Sequence, residues 1–146
     1  MNWKGLIQVV SNYKLSYKNY FMVLFKMYTG QRASRSYDVS IKVLLKNGSK
    51  LVVPFGWAVS YATMIGMQRE VGNKDISEID LSENGLSFKF KGNLVLIDPA
   101  RFSDPYAVFI TEDYSYLDVN DRDVIDIGMN IGDSLIYFSL KGAKKI

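Results

Sequence analysis

Apolar positions recur at helical spacing through the first thirty residues. Tyr13, Tyr17, Tyr20, Phe21, Leu24, Phe25 and Tyr28 fall three or four apart, which predicts helix over residues 6–28 with one wide apolar face. Ser11-Asn12 predicts a division into a short first helix, ending near Val10, and a longer second one closed by Thr29-Gly30-Gln31. The period then shortens to two. Tyr37 to Leu45 mostly alternates, Asn47-Gly48 signals a hairpin turn, and Lys50 to Phe55 returns as a second strand. Trp57 to Val71, rich in Ala and Met, predicts a helix ended by Gly72-Asn73. Ile76 to Leu81, Leu86 to Phe90 and Leu94 to Ile97 predict three strands joined by compact turns.

Beyond these strands the punctuation changes. Asp98-Pro99 and Asp104-Pro105 place the best candidate boundary within residues 98–106. Ala107 to Thr111 reads as a strand and residues 112–121 as a polar, tyrosine-bearing connection. Val124, Ile125 and Ile127 make a near-continuous apolar strand of the kind buried in a parallel sheet. Two spaced glycines follow, then a helical segment from Leu135 to Leu140. The predicted class is α+β: helices and β-hairpins over residues 1–106, then the start of a strand–loop–helix unit over 107–146.

Composition supports a packed fold and removes several chemistries. The 146 residues are 48% hydrophobic and 23% charged, enough apolar material for a core. No cysteine is present, so disulfides and thiolate chemistry are excluded. No histidine is present either, which excludes histidine-dependent hydrolysis and His/Cys zinc sites and leaves carboxylates, Lys and Tyr for acid–base work. No metal is expected.

The closing motif, Asp126-Ile-Gly128-Met129-Asn130-Ile-Gly132-Asp133, carries the most chemical information. Gly128 opens backbone angles closed to other residues, and Gly132 allows close approach to a ligand or a packed helix. The first N–H groups of the following helix face whatever binds there. Asp126 and Asp133 would repel a pyrophosphate and suit an ammonium or sulfonium group instead. No Lys-Ser/Thr follows the glycines, so the loop is not a phosphate-binding P-loop. A tight strand-to-helix turn with no ligand remains the alternative for Gly-x-Asn-x-Gly.

The stretch from Val124 to Ile146 resembles the first strand, loop and helix of FkbM-type S-adenosylmethionine-dependent methyltransferases. That family carries an Asp-Ile-Gly-Ala-Asn-Ile-Gly-Asp loop, a Ser/Thr, a Tyr-Phe-Ala-like helix and a Lys-Gly-Ala turn. Here the corresponding residues are Asp126 to Asp133, Ser134, Tyr137-Phe138-Ser139 and Lys141-Gly142-Ala143. The upstream Phe109-Ile-Thr-Glu112-Asp113-Tyr114 is similar to an acidic-aromatic segment the family places before its loop. Residues 36–97 resemble, less specifically, the β-rich N-terminal extension of some archaeal members.

The resemblance implies that residues 107–146 open a Rossmann-like class I methyltransferase domain. It implies S-adenosylmethionine as cofactor, with Asp126, Gly128, Asn130 and Gly132 lining its methionine end and Asp133 holding its amino group. Met129 stands where the family has a small residue. A sugar or glycan hydroxyl is the implied methyl acceptor. In such folds an acid that binds the ribose lies roughly 20 residues past the loop, and only fourteen residues follow Gly132. The expectation is therefore an N-terminal fragment of such an enzyme, inactive alone. The alternative is a β-rich binding or self-association module that keeps a vestigial loop. Under either reading a second chain or a second copy would cover the exposed strand.

Charge is distributed unevenly. No acid precedes Asp38, while Lys4, Lys14, Lys18, Lys26, Arg32 and Arg35 are basic. A helix packed on its own domain, its lysines snorkelling, is the expected arrangement; contact with a membrane surface is the alternative. Nucleic acid is not an expected partner, since no recognition motif accompanies the charge. Glu112, Asp113 and Asp118 are candidate carboxylates for catalysis or metal binding, with plain solvation as the default reading. Trp57, Tyr61, Met64 and Met67 are expected to pack a core. With no signal-peptide core or spanning segment, a cytoplasmic location is expected.

Overall fold

A computed structural model describes residues 3–30, 39–97, 105–127 and 132–146. The fold is α+β, with helices packed on two antiparallel sheets. Helices α1 (Trp3–Ser16) and α2 (Tyr20–Gly30) open the chain. They divide at Tyr17–Asn19 rather than at Ser11-Asn12: α1 runs through both residues to Ser16, whose Oγ donates to Asn12 O at 2.9 Å. The true break is made by distant partners. Tyr17 bridges Leu45, Lys18 N–H donates to Leu44 O at 2.7 Å, and Asn19 Oδ1 accepts from Leu44 N–H at 2.8 Å.

Strands β1 (Ser40–Leu44) and β2 (Lys50–Pro54) pair antiparallel, with Ser40 opposite Pro54 and Leu44 opposite Lys50. Gly48, at φ +99°, makes the turn that Asn47-Gly48 predicts. Ile41, Val43 and Val53 point into the core, while Val52 stays exposed, as the alternation requires. The edge of β1 is occupied by the Tyr17–Asn19 turn, which leaves fewer of its polar groups open to foreign strands.

Helix α3 (Phe55–Val71) follows Pro54 directly and ends at Gly72, whose left-handed backbone lets its N–H reach Gln68 O at 2.8 Å. It lies close against α1: a side chain at Gly66 would collide with Asn12. Tyr61 and Met64, expected in the core, are buried. Trp57 and Met67 pack against that core half-buried.

Strands β3 (Ile76–Ser82), β4 (Gly85–Phe90) and β5 (Asn93–Ile97) form an antiparallel meander in that order. The pairing of β3 with β4 shifts between Ser77 and Asp80, where Glu78 takes φ +53°. The central strand β4 sinks Leu86, Phe88 and Phe90 completely.

Residues predicted as a strand at 107–111 form helix α4 (Pro105–Phe109) instead. Pro105 sits in the first turn, where a missing N–H costs nothing. Thr111 Oγ1 bonds to Ala107 O at 2.9 Å and Asp113 N–H to Ala107 O at 3.0 Å, closing the helix end. A run of five apolar residues does not distinguish helix from strand by period, and local capping decides here. The last helix, α5 (Asp133–Leu140), packs beside α4. One aromatic cluster joins β4, α4 and α5: Phe88 to Phe109 at 4.9 Å, Phe90 to Phe109 at 5.3 Å and Phe90 to Tyr137 at 5.6 Å between ring centroids. Among the described residues no helix is long and apolar enough to cross a membrane.

Candidate cofactor loop

The predicted loop links an extended segment to α5. Gly132 precedes the helix at φ +83°, a conformation that favours glycine. Among the described residues a Cβ there would meet nothing within 4 Å, so the glycine serves its backbone angle rather than close packing against α5 or its neighbours. Ile136 N–H donates to Gly132 O at 3.0 Å and starts the helical bonding. Gly128, Met129 and Asn130 lie outside the described residues.

The two acids meet at one residue, Ser134. Ser134 Oγ donates to Asp126 Oδ2 at 2.5 Å across the loop, and Ser134 N–H donates to Asp133 Oδ1 at 3.0 Å. Asp126 is half-buried, and Asp133 and Ser134 are buried. Both carboxylates stand at the N-terminal end of α5, where the helix dipole favours negative charge. Ser134 thus fixes the Asp126 carboxylate across the mouth of the loop. The signal for it was present, since a hydroxyl residue directly follows the acid that opens the helix.

Helix α5 ends in a paired-bond glycine cap. Gly142, at φ +89°, donates its N–H to Ser139 O at 3.1 Å, and Ala143 N–H donates to Phe138 O at 3.0 Å. The chain then turns back alongside its own entry segment. Lys144 N–H donates to Arg122 O and Val124 N–H to Lys145 O, each at 2.8 Å, making a parallel bridge between Asp123 and Lys145. A segment, a glycine turn, a helix and a parallel return therefore follow one another.

The strand expected at Val124 to Ile127 does not form: the segment is irregular, with a single parallel bridge at Asp123, and it is not buried. Val124 is half-buried, whereas Ile125 is 87% and Ile127 92% exposed. A parallel strand becomes buried only when partners line both edges and helices cover both faces. Among the described residues, 142–145 alone runs beside this segment.

The candidate carboxylates divide. Glu112, at φ +49°, accepts from Tyr137 Oη at 3.0 Å and from Asn73 Nδ2 at 3.3 Å. Asn73 Nδ2 also donates to Phe109 O and Ile110 O, tying the α3–β3 turn to the end of α4. Burial and the neighbouring Glu112 carboxylate raise the Tyr137 phenol above its ordinary pKa, so it stays a protonated donor to that carboxylate. Asp113 accepts from Thr111 Oγ1 at 2.6 Å, and Asp118 pairs with Arg122 at 2.6 Å on the surface. These three acids do not converge, and no group of three acidic side chains able to hold a metal ion occurs among the described residues. A surface depression of about 470 Å³, lined by Lys91, Tyr116, Asp118, Asn120 and Lys141 among others, lies at the far end of α5, and none of the predicted loop residues lines it.

No protein-family model, curated protein or solved structure matches this chain.

Proposed function

We propose that residues 107–146 are the opening strand–helix–strand unit of an FkbM-type, Rossmann-like methyltransferase fold. In this reading the loop from Asp126 to Asp133 edges the methionine end of S-adenosylmethionine. The observation that carries it is the parallel return of 144–145 onto 122–124 across a glycine loop and one helix. That connection is the elementary step of a nucleotide-binding α/β sheet. The fit of the ligand rests on two local features. No described residue crowds Gly132, and two carboxylates share Ser134 at the loop mouth. A cationic amino-acid tail matches that charge.

S-adenosylmethionine, where bound, supplies a methyl group on a sulfonium. The residues of this chain hold and orient it. Asp126 and Asp133 attract the ammonium and sulfonium charge, Ser134 keeps Asp126 turned toward the loop, and Gly132 lets the backbone approach; Gly128 and Asn130, the other residues assigned to the methionine end, lie outside the described residues. The acceptor in this reading is a sugar or glycan hydroxyl.

The test is an amide-resolved NMR titration with S-adenosylmethionine and with S-adenosylhomocysteine. Shifts confined to residues 126–136, with a millimolar Kd or tighter, are expected, and about −4 kcal/mol of binding is enough to see them. Asp126→Asn should weaken the sulfonium-bearing ligand more than the uncharged thioether. No shift in this segment at saturating cofactor sinks the reading.

The exposed Ile125 and Ile127 favour a second reading, in which a binding or self-association module pairs another strand along 123–127. Sedimentation over a concentration series separates the two. Association that Ile125→Lys abolishes, without any cofactor response, supports the module.

A further inference from the structure

The N-terminal helices turn only part of their apolar surface inward. Tyr13, Tyr17 and Val23 are buried, whereas Trp3 is 80%, Ile7 66%, Phe21 73% and Phe25 68% exposed. Trp3 and Ile7 are four apart on α1, and Phe21 and Phe25 four apart on α2, so each pair forms a short apolar stripe. The wide face predicted for residues 6–28 is therefore split, one part packed and the other in water.

Charge identifies what would cover the exposed part. Lys4, Lys14, Lys18 and Lys26 are all exposed, and none is ion-paired among the described residues. No acidic residue occurs before Asp38. On α3, which packs against α1, Glu70 accepts from Gln8 Nε2 at 2.8 Å and Arg69 adds a further positive charge. A two-fold pairing of this surface with a second copy would set these lysines against themselves. An anionic lipid surface meets both requirements, taking apolar side chains at its acyl boundary and ammonium groups among its head-group phosphates.

We propose that α1 and α2 dock the chain on an anionic lipid surface, with Trp3, Ile7, Phe21 and Phe25 inserted and Lys4, Lys14 and Lys26 over the phosphates. Lysine stems are long enough to cover apolar neighbours while their charges stay at the head-group level. This inference is independent of the cofactor reading.

Flotation of the 146-residue chain with vesicles tests it. Phosphatidylcholine vesicles containing about a third phosphatidylglycerol should carry the protein to the top of the gradient, and pure phosphatidylcholine should bind it at least about tenfold more weakly. High salt should reduce the anionic binding. Tryptophan emission should shift to the blue on binding, and Trp3→Phe should remove that shift. Phe21→Ser/Phe25→Ser and Lys14→Glu/Lys26→Glu should each lower binding at least about tenfold. Because these positions are exposed, both variants should keep the wild-type circular dichroism and melting temperature, and the lipid and salt dependence of the wild type stands without them. Failure to float with anionic vesicles, equal binding to neutral ones, or wild-type binding by both variants overturns the proposal. So does a wild-type dimer that Phe21→Ser/Phe25→Ser dissolves while no vesicle binding occurs.

Discussion

Ile127 and Tyr137 lie ten residues apart on either side of the glycine loop, yet Ile127 is 92% exposed and Tyr137 fully buried. Both side chains carry a large apolar surface, and the difference is what each meets. Helix α5 finds a prepared surface. Phe90 and Phe109 close on the Tyr137 ring at 5.6 and 5.8 Å, and Tyr114 meets Phe138 at 5.3 Å. The segment entering the loop finds one parallel neighbour, bound through two backbone hydrogen bonds. Apolar patterning states a demand for burial, and only the partners available to a segment decide whether the demand is met.

The widest break in that comparison should come from the aromatic cluster. Phe109→Ala removes the ring that touches Phe88, Phe90 and Tyr137, and should cost about 3–5 kcal/mol, read as a fall in the urea midpoint at unchanged slope. A loss below about 1 kcal/mol would mean that the cluster is loosely packed and that α5 is held by other contacts.

The buried phenols offer a second test without mutation. Burial raises the pKa of Tyr13, Tyr17, Tyr61 and Tyr137, with Glu112 adding to the shift at Tyr137 and Asp80 to that at Tyr61. The unfolded chain ionises these groups near pH 10 while the folded chain still keeps its protons. The stability these groups contribute is therefore full below the ordinary phenol pKa and is lost as the pH rises above it, with a limiting slope of about 1.4 kcal/mol per pH unit for a tyrosine that stays protonated when folded. Denaturant unfolding at pH 9, 10 and 11 should show a steepening loss. A flat profile would contradict the burial of all four.

The turn that sends the chain back is next in size. Gly142 stands at φ +89°, and a Cβ there would come within 2.5 Å of Asn120 Oδ1. Gly142→Ala should cost about 1–2 kcal/mol from backbone strain, with more where Asn120 is slow to move. It should also weaken the amide protection of Lys144 and Val124, the donors of the parallel bridge. Strain without loss of that protection would separate the glycine cap from the returning segment.

Legibility followed the range of the interactions. Asn47-Gly48 and Gly72-Asn73 were readable because turn and cap chemistry act over a few residues, and the meander from Ile76 to Ile97 was readable for the same reason. The break at Tyr17–Asn19 was not. It is made by bonds from Lys18 and Asn19 to β1, more than twenty residues away. Helix α4 escaped because Ala107 to Thr111 is too short for its period to discriminate. In the loop, the glycine turn at Gly132 and the helix start at Asp133 were readable from local pattern. Ser134 as the shared partner of Asp126 and Asp133, and Tyr137 as the donor to Glu112, depend on how α5 rotates against α4 and β4.

The smallest expected effect is also the most discriminating. Ile127→Ser exchanges an apolar side chain for a polar one at a site 92% exposed. If the described surroundings of Ile127 are all that it meets in solution, the folded state loses almost no packing, and stability should stay within about 0.5 kcal/mol. If another strand pairs along 123–127, through a second copy or a further segment of chain, the same substitution removes buried apolar surface worth about 1.5–3 kcal/mol for a fully covered isoleucine. The loss would then depend on protein concentration for a second copy and not for a covalently continuous partner. Measuring the Ile127→Ser denaturation midpoint at two concentrations a hundredfold apart therefore separates an idle edge from an occupied one. Tyr137→Phe is the matched control on the buried side. It keeps the ring, deletes the 3.0 Å bond to Glu112, and should cost about 1 kcal/mol at either concentration.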